Sequence, residues 1–323
     1  MLAVVLAAGR GKRLLPLTND RSKAMLPIAG RPIVGRVLAM LARGGAGRFV
    51  VVVHPEDQAL IDHLRRPPWA DRVRLAYQSR RLGMAHAIEC AFPPMRERSA
   101  PPFLLASCDN LYPDGHVARL ITRLQEGLDA AITLMWAPRP RATQSALVVL
   151  RDGFVVDIIE KPQPDEIPSY GGSQEALCAP ALYALSPRIL SYLPEVSPSS
   201  RGEREFTDAL RLLIRDGGRV GGQVVKNRMT LTRPEDLLAI NRHLLRTNPD
   251  CATVAAELPP DAAAIPPVRI EAGAIVCSRC HIGPEAYLES GCRVGPGAII
   301  RRAIIMRGAS VLSHRVVEDS VLV

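Results

Sequence analysis

A six-residue repeat near the end of the chain limits its fold more than any other sequence feature. Aliphatic or Met side chains recur at every sixth position there: Ile270, Val276, Ile282, Leu288, Val294, Ile300, Met306 and Leu312. A usually small residue follows each of them by four positions: Ala274, Cys280, Ala286, Cys292, Ala298, Ile304, Ser310 and Val316. This period is typical of a hexapeptide β-helix, in which stacked coils bury the aliphatic column. The repeat therefore predicts a short left-handed β-helix over residues 268–323.

Before the repeat, short apolar runs alternate with segments of helical periodicity. The runs that predict strands are residues 2–6, 49–53, 73–77, 103–106 and 130–135, and the helical patterns cover 33–41, 59–64, 84–91 and 117–124. Such alternation is typical of βαβ units, so we predict an α/β, Rossmann-like domain with a mostly parallel sheet. We place this domain at residues 1–247 and a linker rich in Pro and Ala at 248–267.

The charge balance favours a small anionic partner over a nucleic acid or a membrane. The net charge is +9, but aromatic residues make up only 4% of the chain, which leaves few rings for stacking on bases. No apolar run approaches the roughly 20 residues that cross a bilayer. Because the first apolar run has no basic leader before it, we expect a cytoplasmic protein. A phosphorylated small molecule fits this composition best.

The loop after the first predicted strand contains two glycines and three cations within four positions. Gly9 and Gly11 would let backbone N–H groups approach an anion. The loop is not a dinucleotide fingerprint, because Leu14 stands where the third Gly belongs. It is not a Walker A loop either, because Lys12 is followed by Arg13. On its own, the loop could equally be a basic surface turn.

Seven segments, in the same order along the chain, resemble those of the sugar-1-phosphate nucleotidylyltransferases. They are LAAGRGKRLLPLT at 6–18, KAMLPIAGRP at 23–32, QSRRLGMAHA at 78–87, SCDN at 107–110, EKP at 160–162, EFTD at 205–208 and NRMTLT at 227–232. The chain is most similar to the members that form UDP- or dTDP-sugars and carry a hexapeptide C-terminal domain. The resemblance implies that an NTP and a sugar 1-phosphate give an NDP-sugar and pyrophosphate, with UTP or dTTP as the expected NTP.

The resemblance also assigns roles to individual residues. Arg13 would bind the triphosphate and Lys23 the phosphates at the reacting centre. The implied nucleotide-binding residues are Ala7, Ala8, Gly9, Gly11, Gln78, Leu82 and Gly83. Glu160 and Ala146 would line the sugar-phosphate site. Asp109 would hold Mg²⁺, with Asn227 as a second ligand.

The implied reaction requires few catalytic groups from the protein. The attacking phosphate oxygen is already an anion at neutral pH, so no general base is needed. Positioning and charge neutralisation would then carry catalysis. This agrees with a sequence in which no Ser-His-Asp or Cys-His set is recognisable.

Several of these assignments have structural alternatives. Asp109 could cap a turn, and Gln78 could be an ordinary loop amide. The role of Asn227 as a metal ligand is open, because a commoner family variant uses an Asp at a position that corresponds to about Thr230. Thr232 and Glu235 predict a capping box for a helix at 234–245. The histidines at 86, 281 and 314 are expected to pack or to lie exposed.

The sequence departs from the family mainly on the sugar side. The unusual residues are Ser22, Cys108, Ala146, Ala179 and Ala181. Added Cβ atoms narrow a pocket, so the sequence does not identify the sugar. A noncatalytic nucleotide-sensing or scaffolding paralogue is therefore an alternative function. A bifunctional enzyme whose β-helix transfers an acyl group is a third, although about three coils are few for such a site. We expect a homo-oligomer.

Overall fold

The computed structural model describes residues 1–92, 100–167 and 175–323. These residues form two compact units, one of residues 1–9 with 36–228 and the other of residues 10–35 with 229–323. Each unit has a hydrophobic core of its own. No helix in the described part of the chain is both long enough and apolar enough to span a membrane.

The secondary structure alternates as the sequence predicts. The helices are α1 (Ile33–Arg43), α2 (Gln58–Leu64), α3 (Met84–Ala91), α4 (His116–Gln125), α5 (Arg139–Ala142), α6 (Phe206–Arg215) and α7 (Pro234–Thr247). The strands before the repeat are β1 (Leu2–Leu6), β2 (Pro27–Ile28), β3 (Arg31–Pro32), β4 (Arg48–Val53), β5 (Val73–Tyr77), β6 (Phe103–Ser107), β7 (Asn110–Leu111), β8 (Ala130–Pro138), β9 (Ala146–Arg151), β10 (Phe154–Glu160), β11 (Glu175–Ala179), β12 (Leu182–Leu185), β13 (Val220–Val224) and β14 (Met229–Thr230).

A ten-stranded sheet forms the core of the first unit. Its order is β11-β9-β10-β13-β8-β12-β6-β1-β4-β5. Strand β1 pairs in parallel with β4 and β6, and β4 pairs in parallel with β5. Val4 and Val5 of β1 are fully buried, as expected for a strand covered on both faces. The predicted α/β class is confirmed, and so are the predicted strands and helices, within a few residues at their ends.

The other half of this sheet contains antiparallel strands that the sequence did not predict. Strands β10, β11 and β12 run antiparallel to neighbours that include β9, β8 and β6. Strand β11 pairs with β8 as well as with β9. This double pairing places the carboxyl end of β11 between the second half of β8 and the start of β9.

The predicted β-helix is confirmed as three sheets of short parallel strands. Its strands are β15 (Ala263–Ala264), β16 (Val268–Ile270), β17 (Ile275–Val276), β18 (His281–Ile282), β19 (Ala286–Leu288), β20 (Arg293–Val294), β21 (Ile299–Arg301), β22 (Ile304–Ile305), β23 (Ser310–Val311), β24 (Val316–Glu318) and β25 (Val321–Leu322). The sheet orders are β15-β18-β21-β24, β16-β19-β22-β25 and β17-β20-β23. Every third strand therefore stacks on its predecessor, as a coil with three sides requires.

After Ile300, the predicted six-residue spacing of the buried side chains is wrong. Ile282 pairs with Ile300, 18 positions later, but Ile300 pairs with Val317, only 17 positions later. The side of the coil between the left-handed corners at Gly297 (φ 68°) and Arg302 (φ 50°) has lost one residue. The column that continues inward is Ile305, Val311 and Val317, all at most 6% exposed. Leu312, predicted to be buried, is 76% exposed.

Two further local expectations differ from the structure. The segment 248–267, predicted to be a linker, contains β15, which pairs with β18, and Val254, which bridges Ile270. Backbone pairing needs only N–H and C=O groups, which an Ala-rich segment supplies. At the start of α7, Asp236 replaces the expected Glu235. Its carboxylate accepts hydrogen bonds from the hydroxyl and the backbone N–H of Thr232, both at 2.7 Å.

The shifted register can be tested by a pair of substitutions. Ile305→Ala should lower the free energy of unfolding by about 2–5 kcal/mol, because it leaves a cavity at a fully buried position. Leu312→Ala should change it by less than about 0.5 kcal/mol, because Leu312 is exposed. Urea titrations of the two variants and the wild type measure both values. A larger loss for Leu312→Ala would restore the unbroken hexad register.

Candidate active site

The chain leaves the carboxyl end of β1 through the predicted nucleotide-binding residues. The N–H of Ala7 donates to Val52 O (2.8 Å), and the Arg81 guanidinium donates through Nε to Ala8 O (2.8 Å). Gly9 is exposed, and a Cβ at this position would meet nothing within 4 Å. The two buried alanines thus anchor a turn whose glycine faces open space, as a ligand site requires.

Gln78, just after β5, has a buried amide of fixed orientation. Its Nε2 lies 3.1 Å from Gly83 O and 3.1 Å from Nδ1 of His86. A carbonyl oxygen only accepts, so the group that faces Gly83 is the NH₂ and its second hydrogen is directed at His86. The Oε1 of Gln78 is therefore the atom left for a ligand, as an acceptor. His86, expected only to pack or lie exposed, orients this amide.

The backbone at Gly83 has no room for a side chain. Its φ is +98°, and a Cβ would lie 2.5 Å from Arg204 O. Leu82 takes part in the same contact, because its O accepts from Arg204 N–H at 2.8 Å. The Arg204 side chain is itself held by Glu89 through two hydrogen bonds of 2.6 and 2.8 Å. The Gln78–Gly83 segment is thereby fixed against residues far away in sequence.

Asp109 lies in a turn that follows β6 and is joined to β1. The N–H of Cys108 donates to Leu6 O at 3.2 Å. Asn110 donates through Nδ2 to the Asp109 carboxylate (3.0 Å) and to Ser107 Oγ (2.6 Å). Its Oδ1 in turn accepts from the Arg228 guanidinium. This chain of contacts fixes the orientation of the Asp109 carboxylate.

Asn227, the predicted second metal ligand, is exposed beside Arg228. The structure thus brings the backbone next to Asn227 toward the Asp109 turn through the bond between Arg228 and Asn110. The described residues contain no group of three or more His, Cys, Asp or Glu side chains that could enclose a metal ion. One carboxylate and one amide suit a divalent ion that is bound mainly through phosphate oxygens.

The predicted sugar-side residues lie on neighbouring strands. Ala146 at the start of β9 faces Glu160 at the end of β10 and Ala179 at the end of β11. Burial raises the pKa of the Glu160 carboxyl, although Lys161 Nζ, 3.6 Å away, acts in the opposite direction. Burial also raises the pKa of the Cys178 thiol to about 11. The strand pairing thus places the predicted sugar-side residues Ala146 and Glu160 beside Ala179, one of the residues that depart from the family.

Three predicted site residues belong to the second unit: the phosphate-binding Arg13 and Lys23 and the nucleotide-binding Gly11. Arg13 is exposed on a 3-10 helix, Lys12–Leu14, and Lys23 begins another, Lys23–Met25. Gly11 has φ +66°, and a Cβ there would lie 3.0 Å from the Cβ of Lys23. The Thr18 hydroxyl donates to Gly11 O (3.1 Å). The glycine is thus required where the two halves of the loop meet.

The sequence did not reveal three side chains that hold the site together: Arg81, Asn110 and Arg228. Asn110 and Arg228 lie within segments that resemble the family, next to the predicted ligands Asp109 and Asn227. Their contact spans 118 positions along the chain, so no local pattern encodes it.

A family model described as nucleotidyl transferase matches residues 2–245. The chain belongs to the nucleotidyl transferase family. Members of this family generally depend on a metal ion. The match covers the β1 turn, Gln78, Asp109 and Asn227.

Curated relatives and a solved structure agree with this membership. The UTP--glucose-1-phosphate uridylyltransferase AglF of Haloferax volcanii is 32% identical over 239 residues, which cover 73% of this chain and 93% of AglF. The bifunctional protein GlmU of Methanococcus maripaludis strain C5 is 28% identical and is matched over 100% of this chain and 77% of its own length. A UDP-glucose pyrophosphorylase complexed with UDP-glucose has the same fold, with a TM-score of 0.66 at 20% identity over 76% of this chain and 99% of that one.

The close approach at Gly83 gives a stability prediction. Gly153→Ala provides the control, because Gly153 has a similar φ of +80° and nothing within 4 Å of a Cβ. The control should cost about 1–2 kcal/mol from backbone strain alone. Gly83→Ala should cost about 1–3 kcal/mol more, because its Cβ meets backbone atoms and because its backbone (φ 98°, ψ −178°) lies in a region that is essentially restricted to glycine. Equal losses in urea titrations would contradict the close approach.

Proposed function

We propose that this protein transfers a nucleotidyl group from UTP or dTTP to a sugar 1-phosphate and releases pyrophosphate. The observation that carries the choice of base is the fixed amide of Gln78, whose Oε1 is the acceptor left for a ligand. Uracil and thymine present an N3–H donor, which pairs with such an oxygen. Cytosine N3 and adenine N1 are acceptors at the same ring position, so these bases would have to shift and present their exocyclic amino group to pair with it. The name of AglF supports the same choice, because it specifies UTP.

The protein's own part in the chemistry is placement and charge. The sugar phosphate oxygen attacks the α-phosphorus as an anion, and the pyrophosphate leaves on the opposite side. We assign Arg13 to the triphosphate and Lys23 to the phosphates at the reacting centre. Both cations act by stabilising negative charge that spreads over the phosphoryl oxygens in the transition state. No proton needs to be removed from the nucleophile.

We assign Mg²⁺ to Asp109, with Asn227 as the weaker ligand. When bound, the ion neutralises phosphate charge and helps to hold the triphosphate in line. Asp109 supplies a carboxylate that Asn110 holds in one orientation. Asn227 adds a neutral oxygen and therefore no further negative charge beside the triphosphate.

On the sugar side, we assign Glu160 to the sugar hydroxyls of a hexose 1-phosphate. A carboxylate accepts hydrogen bonds from two neighbouring hydroxyls. Ala146 and Ala179, paired across β9 and β11, place two methyl groups beside it. We propose a homo-oligomer as the assembly, which a measurement of mass in solution tests.

A panel of nucleotides and sugars tests the reaction. Pyrophosphate release is measured with UTP, dTTP, CTP, ATP and GTP against hexose 1-phosphates and their 2-acetamido derivatives, with Mg²⁺ present. Activity with UTP or dTTP is expected. GTP is the sharp control, because guanine also carries a ring N–H donor but is larger. Nucleotide binding without pyrophosphate release for any sugar would establish the noncatalytic paralogue instead.

Removal of either cation assigned to the phosphates should slow turnover strongly. Arg13→Ala or Lys23→Ala should lower kcat by about 10²–10³-fold, the usual loss when one group that stabilises transition-state charge is deleted. Arg31→Ala removes an exposed cation from the same unit and should leave kcat within about twofold. Steady-state pyrophosphate release gives all three values. Near-normal rates for Arg13→Ala and Lys23→Ala would remove both assigned roles.

The metal assignment is tested through Asp109 and Asn227. Asp109→Asn should abolish Mg²⁺-dependent release and leave the circular dichroism spectrum unchanged, because the side chain keeps its shape. Asn227→Ala should be less damaging and should mainly raise the Mg²⁺ concentration needed for half-maximal rate. Turnover that persists with chelator present would show that Asp109 has another role.

A further inference from the structure

The β-helix contacts the loop that carries Lys23 on both sides of that residue. The side chain of Arg21, two positions before Lys23, is 7% exposed, and its Nη1 lies 2.5 Å from Oε1 of Glu289. Glu289 directly follows strand β19 and is 11% exposed at its side chain. Both groups belong to the second unit. The pair is therefore a nearly buried link between the loop and a coil of the β-helix.

Glu289 is held so that it has little freedom to follow a moving partner. Its second carboxylate oxygen accepts the N–H of Arg307 at 2.8 Å. Its own N–H donates to Ile305 O at 2.9 Å. One carboxylate thus ties two successive coils together while it binds Arg21. The Arg21 guanidinium is therefore bound by a carboxylate that both coils hold, in addition to its longer bonds of 3.3 and 3.4 Å with the neighbouring Asp20.

The second contact lies after Lys23, at Gly30. A Cβ at Gly30 would overlap the guanidinium of Arg269, which lies on strand β16. That guanidinium donates to Cys251 O (3.3 Å) and to Thr253 Oγ1 (3.1 Å). Arg269 is in register with Tyr287 of β19. Both contacts therefore come from the same side of the β-helix, because Arg269 lies on β16 and Glu289 directly follows β19, the strand that pairs with β16.

Helix α7 holds the loop at a third point. Asn241, 1% exposed, accepts the N–H of Ala29 (2.6 Å) and donates to Pro27 O (3.4 Å). The 3-10 helix Lys23–Met25 thus lies between Arg21 on one side and the segment held by Asn241 and Arg269 on the other. Its two closing bonds are Met25 N–H to Ser22 O and Leu26 N–H to Lys23 O.

We propose that Glu289 is a positioning residue for Lys23: through its ion pair with Arg21, the β-helix holds the Lys23 helix in the place that phosphoryl transfer requires. This inference rests on the function proposed above. A cation lowers the barrier most when it is already in place, because no reorganisation is then needed as charge develops. Misplacement by about 1 Å can cost about 10²-fold in rate. The β-helix is on this account part of the catalytic machinery's support.

Glu289→Gln in the full-length protein tests this, with Glu318→Gln as its matched control. Glu318 pairs with Arg301 (2.7 Å) and Arg302, both within the β-helix. Two quantities are measured well below the unfolding temperature: kcat and KM for UTP, and amide hydrogen exchange in a peptide that covers residues 22–26. We expect Glu289→Gln to lower kcat by about tenfold or more, to change KM by less than about threefold, and to speed exchange in that peptide. Glu318→Gln should match the wild type in each.

A second variant guards against misfolding of the first. Glu289→Asp keeps the charge but withdraws the carboxylate from Arg21, and it should show the same pattern in weaker form. Normal kcat with faster exchange, or unchanged exchange with any kcat, would overturn the proposal, because the pair would then serve only stability or nothing. If the wild type releases no pyrophosphate, the proposed function fails. The exchange comparison then decides alone whether Glu289 holds the Lys23 helix.

Discussion

Parallel pairing of β1 between β4 and β6 decides where the first unit can have a site. Leu6 stands level with Val52 on one side and with Ser107 on the other, and Val53 stands level with Tyr77. The chain therefore leaves all four strands at the same edge of the sheet. The Ala8 turn, Gln78 and the Asp109 turn follow from that register, because each begins within two residues of a strand end. Hydrogen bonding in the sheet, more than any loop sequence, makes them neighbours.

The polar groups at this edge share an arrangement in which the Gln78 amide and the Asp109 carboxylate are each oriented by other groups of the protein. His86 and Gly83 O together orient the Gln78 amide, and Arg228 acts on Asp109 through Asn110. A group held in this way loses little freedom when a ligand binds, so less of the interaction energy is spent on ordering it. The anionic nucleophile of the proposed reaction makes such placement the protein's main contribution.

The sequence predicted what hydrophobic spacing can encode and failed where spacing is degenerate. Buried strands such as Leu2–Leu6 and the coils up to Ile300 follow directly from runs and periods of apolar residues. After Ile300 the residues Ile304, Ile305 and Met306 are all buried, so three consecutive apolar side chains fit more than one phase of the repeat. One side of the coil is shorter by one residue there. A count of six from Ile300 still arrives at apolar residues, so the sequence pattern does not reveal the change.

Site residues divide in the same way. The predicted ligands stand in short segments that resemble the family, so the sequence alone is enough to nominate them. Arg81, Arg228 and Glu289 act across 73, 118 and 268 positions of the chain. Contacts at such separations depend on the finished fold, and one sequence carries no record of the pairing. Thr232 and Asp236 show that even a local prediction can miss by one position, because the carboxylate of Asp236 caps the helix in place of that of Glu235.

The grouping of residues 10–35 with 229–323 has a consequence for how such proteins can be recombined. A chimera with its crossover near residue 247 would keep residues 10–35, which include Lys23, from one parent and receive the β-helix from the other. Arg21 and Gly30 would then meet foreign residues where Glu289 and Arg269 now stand. Exchange of the β-helix between relatives is therefore constrained by a short segment that lies far earlier in the chain, and functional hybrids should inherit the two pieces together.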